Sequence, residues 1–297
     1  MIHISRLKFS LLMAFMIMSW GLAFPLIKIG LQDLSPTNLT IMRFFVVCII
    51  LLFLILMQPT KFSKLSPKDI PWIFVLGFFG VIIYHLGLNY GEQYISPGAA
   101  SLIIGTAPLF VVVSAIIFLN EKLTKKRIAG IFLALAGVII ISLWGKPGLV
   151  IEVKYISGAL AVLVAAISAA FYTIAGKKLL SRYTALSLTT YAMLLGSIGL
   201  LPFLNSSLIS EVTQMSLPTM GSILFLGVCS TVISYMLWYV ALQIKDASEI
   251  SIYLYCIPVI TIIIDLLVFR ERISYLFLFG AIFIILGLRI ISLKIIN

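Results

Sequence analysis

Long apolar stretches follow one another along the chain, and short polar segments separate them. A helix needs about 20 apolar residues to cross a bilayer. Stretches of about this length occur at residues 9–29, 38–57, 71–91, 97–119, 126–144, 157–176, 185–205, 219–241, 248–269 and 273–292. Prolines such as Pro36, Pro97 and Pro218 lie at the junctions, where helices begin or end. The pattern therefore predicts an all-α polytopic membrane protein with ten transmembrane helices.

The composition agrees with a lipid environment and argues against several classes of function. Hydrophobic residues make up 62% of the 297 residues and charged residues 10%, whereas soluble domains are about half apolar and a quarter charged. The three cysteines lie inside apolar stretches, which indicates packing rather than disulphides or a metal site. We expect neither a cofactor nor enzymatic activity, because the chain has only two histidines and no H-E-x-x-H motif.

The net charge of +11 comes from short basic clusters between the apolar stretches, so we expect no nucleic-acid partner. With a cytoplasmic N-terminus, 15 of the 21 basic residues fall on the cytoplasmic side and 5 outside, and Arg43 lies within a span. The first stretch has no small-residue cleavage pattern and is interpreted as a retained helix. We predict a multi-pass cell-membrane protein with both termini cytoplasmic.

The second half of the chain repeats the first. The residues paired at a separation of 150 are Glu121 with Glu271, Gly130 with Gly280, Gly77 with Gly227, Ser101 with Ser251, and Pro108 with Pro258. Nearer the N-terminus the separation is 149, as for Ser19 with Ser168 and Lys28 with Lys177. We predict two five-helix repeats, residues 1–146 and 147–297. Because five is odd, the second repeat is inverted, as in alternating-access transporters; a duplication kept only for packing is the alternative.

Pro108 and Pro258 lie in the middle of the fourth and ninth stretches. Matched helix interruptions at the midplane point to a substrate site, with two harmless kinks as the alternative. Polar and aromatic residues at helical spacing are expected to converge around them, although packing or an interfacial belt also explains single aromatic residues. The predicted substrate-binding residues are Trp20, Phe24, Tyr84, His85, Asn89, Ser101, Pro108, Ser168, Tyr172, Tyr235, Trp238, Tyr255 and Pro258.

Ionisable residues inside predicted spans are candidates for gating or coupling. These are Arg43, Glu92 and Asp265. Arg43 and Asp265 are predicted at similar depth, so they pair in one state or one of them meets the substrate's charge; snorkelling to the interface is the alternative. A neutral, hydrogen-bonded His85 is favoured over a proton relay. Glu121 and Glu271 precede helices and are interpreted as structural.

The chain resembles the EamA-type permeases of the drug/metabolite transporter superfamily over essentially its whole length. The resemblance lies in "SWGLAFPLIKIGL", Arg43-Phe44, "SPGAASLIIGTAPLFVVVSAIIFLNEKLT", "RIAGIFLALAGVII", "GALAVLVAAISAAFYTIAGKKL" and "FRERISYLFLFGAIFIILG". It implies a ten-helix inverted-repeat carrier in a bacterial inner membrane, with a cavity between spans one, three, four, six, eight and nine. The first span has no acidic residue, so the proton exchange of small multidrug-resistance relatives does not carry over.

These features together favour a secondary carrier that exports small zwitterionic or amphipathic metabolites, amino acids first, as a monomer or homodimer. Aromatic faces suit an apolar side chain and hold an ammonium group by cation–π contact. No ATP-binding motif is present, so a gradient is expected to drive transport. The alternatives are a multidrug or organic-cation exporter, a passive channel, or a lipid translocator. A phosphorylated substrate is disfavoured because Arg43 is the one cation well inside a span.

Overall fold

A computed structural model describes residues 5–120, 125–144, 153–269 and 275–292, which leaves Glu121 and Glu271 outside the described residues. Within these ranges the chain forms helices and no β-strand. We number the apolar helices in chain order. They are α1 (Arg6–Gly30), α2 (Pro36–Met57), α3 (Pro67–Tyr94), α4 (Pro97–Leu119), α5 (Lys125–Trp144), α6 (Val153–Leu179), α7 (Ala185–Ile198), α8 (Leu217–Ile244), α9 (Ala247–Ser251, Ile252–Tyr255 and Cys256–Phe269) and α10 (Tyr275–Ser292).

In the described part of the chain, seven helices are long and apolar enough to cross a membrane: α1, α2, α3, α4, α6, α8 and α9. The described part of the chain is therefore all-helical, and the protein is a multi-pass membrane protein. Helices α5, α7 and α10 lie at the predicted fifth, seventh and tenth spans, and their crossing stays a prediction. Helix α7 ends at Ile198 rather than near residue 205, because Pro202 lies in a separate 3₁₀ turn, Leu201–Phe203.

Local sequence explains where the helices start. The Ser35 and Ser96 hydroxyls accept hydrogen bonds from amides in the first turns of α2 and α4, at 3.3 and 3.2 Å. Pro36 and Pro97 follow as first helical residues, where a missing amide hydrogen costs nothing. Short polar side chains and prolines thus set the boundaries that hydropathy alone leaves approximate.

Four of the helices are irregular in their middle. Helices α3 and α8 each contain a π-helical segment, at Phe78–Ile83 and Leu226–Ile233. Helix α4 is interrupted by a turn at residues 105–106, just before Pro108. Helix α9 passes through a 3₁₀ segment, Ile252–Tyr255, just before Pro258. The helix interruptions predicted from the two prolines are confirmed.

The faces predicted for α4 and α9 are both buried. On α9 the residues at steps of four and three are Ser251, Tyr255, Pro258, Ile262 and Asp265. Their partners 150 positions earlier on α4 are Ser101, Gly105, Pro108, Val112 and Ala115, and these are buried too. The hydrophobic surface outside the bundle is large, with side chains such as Leu56 and Trp72 mostly exposed, as expected for contact with lipid.

One end of the bundle, formed by the loops at residues 31–35, 95–96 and 199–216, is called the carboxylate end. There Asp33 accepts hydrogen bonds from Ser216 and from Thr219 at the start of α8, at 2.6–2.9 Å. Hydrogen bonds from Ser216, and then from Thr219, lower the pKa of Asp33 below its ordinary value of 3.8. The carboxylate of Asp33 therefore serves as a cap that ties the α1–α2 loop to α8.

A second carboxylate at this end joins the same two loops, but here the α7–α8 loop supplies the acceptor and the start of α2 supplies the donors. Glu211, on the short helix Ser207–Gln214, accepts from the Ser35 amide at 2.9 Å and from Asn38 at 2.7 Å. Partial burial acts to raise the pKa of Glu211, but hydrogen bonds from Ser207, Ser35 and Asn38 outweigh it and lower the pKa from 4.5. The α1–α2 and α7–α8 loops thus cap each other's helices.

The other end, formed by the loops at residues 58–66, 180–184 and 245–246, is called the basic end. It carries several lysines and arginines from the loops that were predicted to be cytoplasmic. Asp69, at the start of α3, accepts from Arg182 at 2.7 Å and from Tyr183 at 2.9 Å. This ion pair ties the α6–α7 loop to α3.

Two lysines make the same kind of contact about 150 residues apart. Near the end of α1, the Nζ atom of Lys28 donates to the backbone carbonyl of Glu92 at 2.6 Å. Near the end of α6, the Nζ atom of Lys177 donates to the carbonyl of Leu242 at 2.5 Å. Each lysine binds an otherwise unsatisfied carbonyl at the end of a long helix, one at the carboxylate end and one at the basic end.

Two glycines allow close helix contacts at a separation of 150. A Cβ atom at Gly77 on α3 would collide with the Ala192 carbonyl of α7. A Cβ atom at Gly227 on α8 would lie 3.3 Å from the Arg43 carbonyl of α2. The partners Arg43 and Ala192 are themselves 149 positions apart, so the same helix crossing occurs in both halves of the chain.

Candidate substrate cavity

A small cavity of about 60 Å³ lies in the middle of the bundle. Helices α1, α3, α4, α6, α8 and α9 contribute to its wall, as the resemblance implied, and α2 adds Arg43. The lining residues are Trp20, Ala23, Phe24, Ile27, Arg43, Gly80, Tyr84, Leu88, Ile104, Ala107, Ala169, Tyr172, Thr173, Tyr235, Trp238, Leu254 and Ile257. The cavity is therefore small, with room for a few water molecules.

Aromatic side chains from four helices contribute to the cavity wall. Trp20 packs edge-on against Tyr235 at 5.7 Å between ring centroids, and against Trp238 at 5.6 Å. Tyr172 contacts Tyr235 at 5.5 Å. The contacts have the offset or edge-to-face geometry that aromatic rings prefer. These four residues, with Phe24 and Tyr84, are the predicted site residues that the structure brings to one cavity.

Hydrogen bonds fix the two indole rings of this wall. The Nε1 atom of Trp20 donates to the Ser230 carbonyl at 2.9 Å. The Nε1 atom of Trp238 donates to the Thr173 hydroxyl at 3.2 Å, and that hydroxyl donates in turn to Ala169 at 2.8 Å. A buried indole N–H needs a partner, so these bonds fix the orientations of two rings that line the cavity.

Arg43 is the one charged residue among the described residues that line the cavity, and 3% of it is exposed. Its Nε atom donates to the Thr231 hydroxyl at 2.8 Å. Thr231 lies in the π-helical segment of α8 and donates to the Leu226 carbonyl, five residues earlier, at 2.8 Å. A guanidinium has five N–H donors, so this bond anchors the group and leaves donors for an anionic ligand.

The helix interruptions lie at the cavity. Pro108 and Pro258 have no amide hydrogen to bond the carbonyl four residues earlier, which belongs to Ile104 on α4 and to Leu254 on α9. Ile104 and Leu254 both line the cavity. A Cβ atom at Gly105, in the turn of α4, would lie 3.4 Å from the Pro258 ring. The two interrupted helices therefore meet each other beside the cavity.

The other predicted binding residues are buried but are not part of this lining. The Nδ1 atom of His85 is 3.2 Å from the Val81 carbonyl, which can only accept, so Nδ1 carries the hydrogen. Asn89 donates to Thr40 at 2.8 Å, Ser101 to Gly98 at 2.8 Å and Ser168 to Phe79 at 2.7 Å. Tyr255 is fully buried beside the interruption of α9. For these five residues and the two prolines, a binding role stays a prediction.

The three gating candidates have different surroundings. The Asp265 carboxylate accepts from the Gly98 amide in the first turn of α4 at 2.9 Å, while Arg43 is bound to Thr231. The structure shows no ion pair between Arg43 and Asp265 in this state, and their pairing in another state stays a prediction. Glu92 is fully buried, and neither of its carboxyl oxygens has a hydrogen-bond partner.

The residues that sequence reasoning missed are small or hold another side chain in place. Thr173 and Ser230 bind the two indole rings, and Thr231 orients Arg43. Gly80 lines the cavity next to Tyr172, and the Tyr172 ring occupies the space that a side chain at position 80 would need. Helical spacing offered one signal, since Thr173 is adjacent to Tyr172 and four residues after Ala169. No pattern in the sequence pointed to Ser230 or Thr231.

Comparisons with known proteins agree with this architecture. Residues 7–143 and 156–293 each match the family model of EamA-like transporters. The chain belongs to the EamA-like transporter family. An uncharacterized transporter of Archaeoglobus fulgidus is 38% identical over 286 residues, which cover 96% of this chain and 98% of the relative. This EamA-family protein is therefore a membrane transporter rather than an enzyme, as predicted.

Two further similarities are to a named exporter and to a solved structure. A probable terminal-alkyne amino-acid exporter of Streptantibioticus cattleyicolor is 32% identical over 248 residues, covering 84% of this chain and 81% of that protein. A protein of known crystal structure superposes with a TM-score of 0.72 over 97% of this chain and 98% of that chain, at 18% sequence identity. The structural likeness shows that the EamA-family chain shares its fold with that protein.

Proposed function

We propose that this EamA-family transporter is a secondary carrier that exports amino acids or related amphipathic metabolites by alternating access. The observation that carries the proposal is the cavity itself, where one guanidinium, from Arg43, faces a wall of tyrosine and tryptophan rings. A carboxylate suits Arg43, an apolar side chain suits the ring faces, and an ammonium group suits their cation–π surface. The similar amino-acid exporter adds support for this substrate class.

The proposed mechanism uses two inverted five-helix repeats, residues 1–146 and 147–297. Contacts recurring at separations of 149–150 support it: Lys28 with Glu92 corresponds to Lys177 with Leu242. In addition, the Asp33–Thr219 contact at the carboxylate end corresponds to the Arg182–Asp69 contact at the basic end. Exchange of the two halves' conformations would open the cavity to each side in turn.

The sidedness of this arrangement is part of the proposal. The basic end would face the cytoplasm, because positively charged loops are retained there. Tags inserted in the loops near Lys126 and near Arg270 should then be accessible from opposite sides of the membrane. If both tags react from the same side, the inverted repeat is wrong, and the alternating-access mechanism is withdrawn with it.

Transport in proteoliposomes tests the substrate class. We expect purified protein to exchange radiolabelled leucine or tyrosine, and unlabelled amino acid on the opposite side should accelerate uptake. Such trans-stimulation is a property of a carrier and not of a channel. Saturable exchange of an organic cation with no effect of amino acids would support the multidrug alternative. Movement of a fluorescent phospholipid between leaflets would support a lipid translocator.

Arg43 allows a sharper test with matched ligands. An amino acid and its carboxamide differ in the charge that Arg43 is proposed to bind. We expect the wild type to prefer the acid about 10- to 100-fold, from a charged hydrogen bond worth about 1.5–3 kcal/mol. Arg43→Met should abolish this preference, and Arg43→Lys should restore it in part. Equal preference in the wild type and in Arg43→Met would exclude Arg43 as the carboxylate site.

A further inference from the structure

Glu92, at the carboxylate end of α3, is a buried carboxyl group without a partner. None of the residue is exposed, and both Oε atoms lack a hydrogen-bond donor. The ammonium group of Lys28 binds the backbone carbonyl of Glu92, at 2.6 Å, and forms no ion pair with its side chain. An ionised carboxylate buried without donors or a counter-ion is strongly disfavoured, whereas the neutral acid is tolerated.

The packing of the fold does not require an acid at this position. The equivalent of Glu92 in the second half is Leu242, whose carbonyl Lys177 binds in the same way. Leu242 is also fully buried, so an apolar side chain suffices where the same contact is made. Glu92 therefore brings an energetic cost that its structural counterpart avoids, which points to a role beyond stability.

The charged groups that act on Glu92 come from three helices. Lys28 on α1, Asp265 on α9 and Arg43 on α2 exert the electrostatic effects on its side chain. Arg43 is bound to Thr231, and Asp265 accepts from the amide of Gly98 on α4. From α6, the uncharged residues Gly158 and Val162 pack against the neighbouring Gly91. The second carboxylate, Asp265, repels negative charge on Glu92, and neither cation is paired with it.

We propose that Glu92 is a proton-binding site that must be occupied for the carboxylate end to close. On closure a proton from water forms an O–H bond with one carboxyl oxygen of Glu92; on opening, water solvates the group and the proton returns to it. The neutral acid can be buried, whereas the carboxylate holds the end open. This inference rests on the alternating-access function proposed above, and it makes closure depend on pH.

Amide hydrogen exchange of the peptide containing Gly98 tests the proposal without any substrate. The Gly98 amide is protected when it is bound to Asp265 and exposed when the end opens. Comparison with Glu92→Gln at each pH removes the intrinsic pH dependence of exchange. The quantity compared is the equilibrium constant for opening of the carboxylate end, in the wild type divided by that in Glu92→Gln at the same pH. If opening releases one proton, this ratio should rise by up to tenfold per pH unit above the pH at which Glu92 loses its proton in the open state. A ratio that does not change with pH would overturn the proposal.

Two more variants separate Glu92 from its neighbours. Glu92→Leu copies the residue at position 242 and should also give a pH-independent opening constant, so the test survives if Glu92→Gln folds poorly. Asp265→Asn retains an acceptor for Gly98 and should keep the wild-type slope. A slope that persists in both Glu92 variants, or disappears in Asp265→Asn alone, assigns the proton to another group and refutes the site.

Infrared spectroscopy gives an independent measurement. The closed wild-type protein should show the C=O stretch of a protonated carboxyl group, and Glu92→Gln should lose this band; its presence in the variant would refute the assignment. Neither experiment requires amino-acid transport. A protein that fails to move amino acids but keeps the Glu92-dependent slope would retain the proton site and lose only the proposed substrate.

Discussion

The substitution Gly77→Ala tests the helix crossing that supports the cavity. Gly77 on α3 faces α7 so closely that a Cβ atom would overlap the Ala192 carbonyl oxygen and lie 2.8 Å from the Gly196 Cα. Ordinary contacts begin at 3.4 Å, so the two backbones must separate by about 0.6 Å even at the less severe contact. Both partners are backbone atoms, which no rotamer change can move.

The cost of this separation follows from the packing of the helix pair. Adding a methylene to a packed site costs about 1–3 kcal/mol, while alanine in a helix gains about 0.8–1.0 kcal/mol over glycine. Transmembrane helices associate mainly through such close packing of small residues. Because both clash partners are backbone atoms, the cost belongs in the upper part of this range, about 2–3 kcal/mol. After subtraction of the gain from alanine, we expect a net loss of about 1–2 kcal/mol, which corresponds to a fall of roughly 2–8 °C in apparent melting temperature.

Thermal unfolding in detergent, followed by tryptophan fluorescence, measures the effect against two matched glycines. Gly227→Ala places its Cβ 2.9 Å from the Val46 Cγ1 atom and 3.3 Å from the Arg43 carbonyl, which are milder overlaps than the 2.2 Å approach at Gly77, so the loss should be smaller. Gly221→Ala meets no described atom within 4 Å and should raise the melting temperature slightly. If Gly77→Ala is as stable as Gly221→Ala, the close crossing of α3 and α7 is wrong.

Two other predictions concern the carboxylate end and the cavity wall. Asp33→Asn and Glu211→Gln should lower the melting temperature at pH 7, because a lowered pKa in the folded protein means that the ionised carboxylate contributes stability. The difference in melting temperature from wild type should shrink as the pH falls below 3.8 for Asp33 and below 4.5 for Glu211. A difference that stays constant with pH would exclude ionisation as the cause. Thr173→Val preserves shape but removes the acceptor of the Trp238 indole N–H, so the ring should lose its fixed orientation. The transport KM should then rise about tenfold, the effect of losing about 1.4 kcal/mol of binding free energy, and an unchanged KM would mean that this orientation does not affect substrate binding.

Features that depend on nearby residues could be predicted from the sequence. The helix starts at Pro36 and Pro97 and the interruptions before Pro108 and Pro258 were confirmed, because a missing amide hydrogen acts within one helical turn. Helical spacing also identified the buried faces of α4 and α9. The length of α7 was overestimated because hydropathy continues past Ile198, whereas Pro202 begins a separate turn.

Features that depend on distant residues could not be predicted in the same way. Arg43 was predicted to be functional because a charged side chain inside a membrane is energetically costly. Its partner Thr231 could not be predicted, because it lies 188 positions away and nothing in the sequence distinguishes it from other threonines in helices. His85 and Asn89 were predicted from helical spacing to face the cavity. The π-helical segment of α3 lies just before them and changes the direction in which the following side chains point. Six predicted residues line the cavity because aromatic size and helical spacing were sufficient for them.

Comparison of equivalent positions separates what the fold requires from what the chemistry requires. Positions 20 and 169 both line the cavity, as do 23 and 172, and in each pair one side is aromatic and the other is alanine: Trp20 with Ala169, and Tyr172 with Ala23. Identical residues, such as the glycines at 77 and 227, occur where both halves need the same crossing. In the proposed inverted repeat, unlike side chains at equivalent positions would suit a ligand that has no two-fold symmetry of its own. Glu92 and Leu242 show the same contrast, because both are buried but only one is ionisable. We therefore expect the proposed carrier to recognise its substrate and its proton at positions that are equally buried in both halves but carry different side chains.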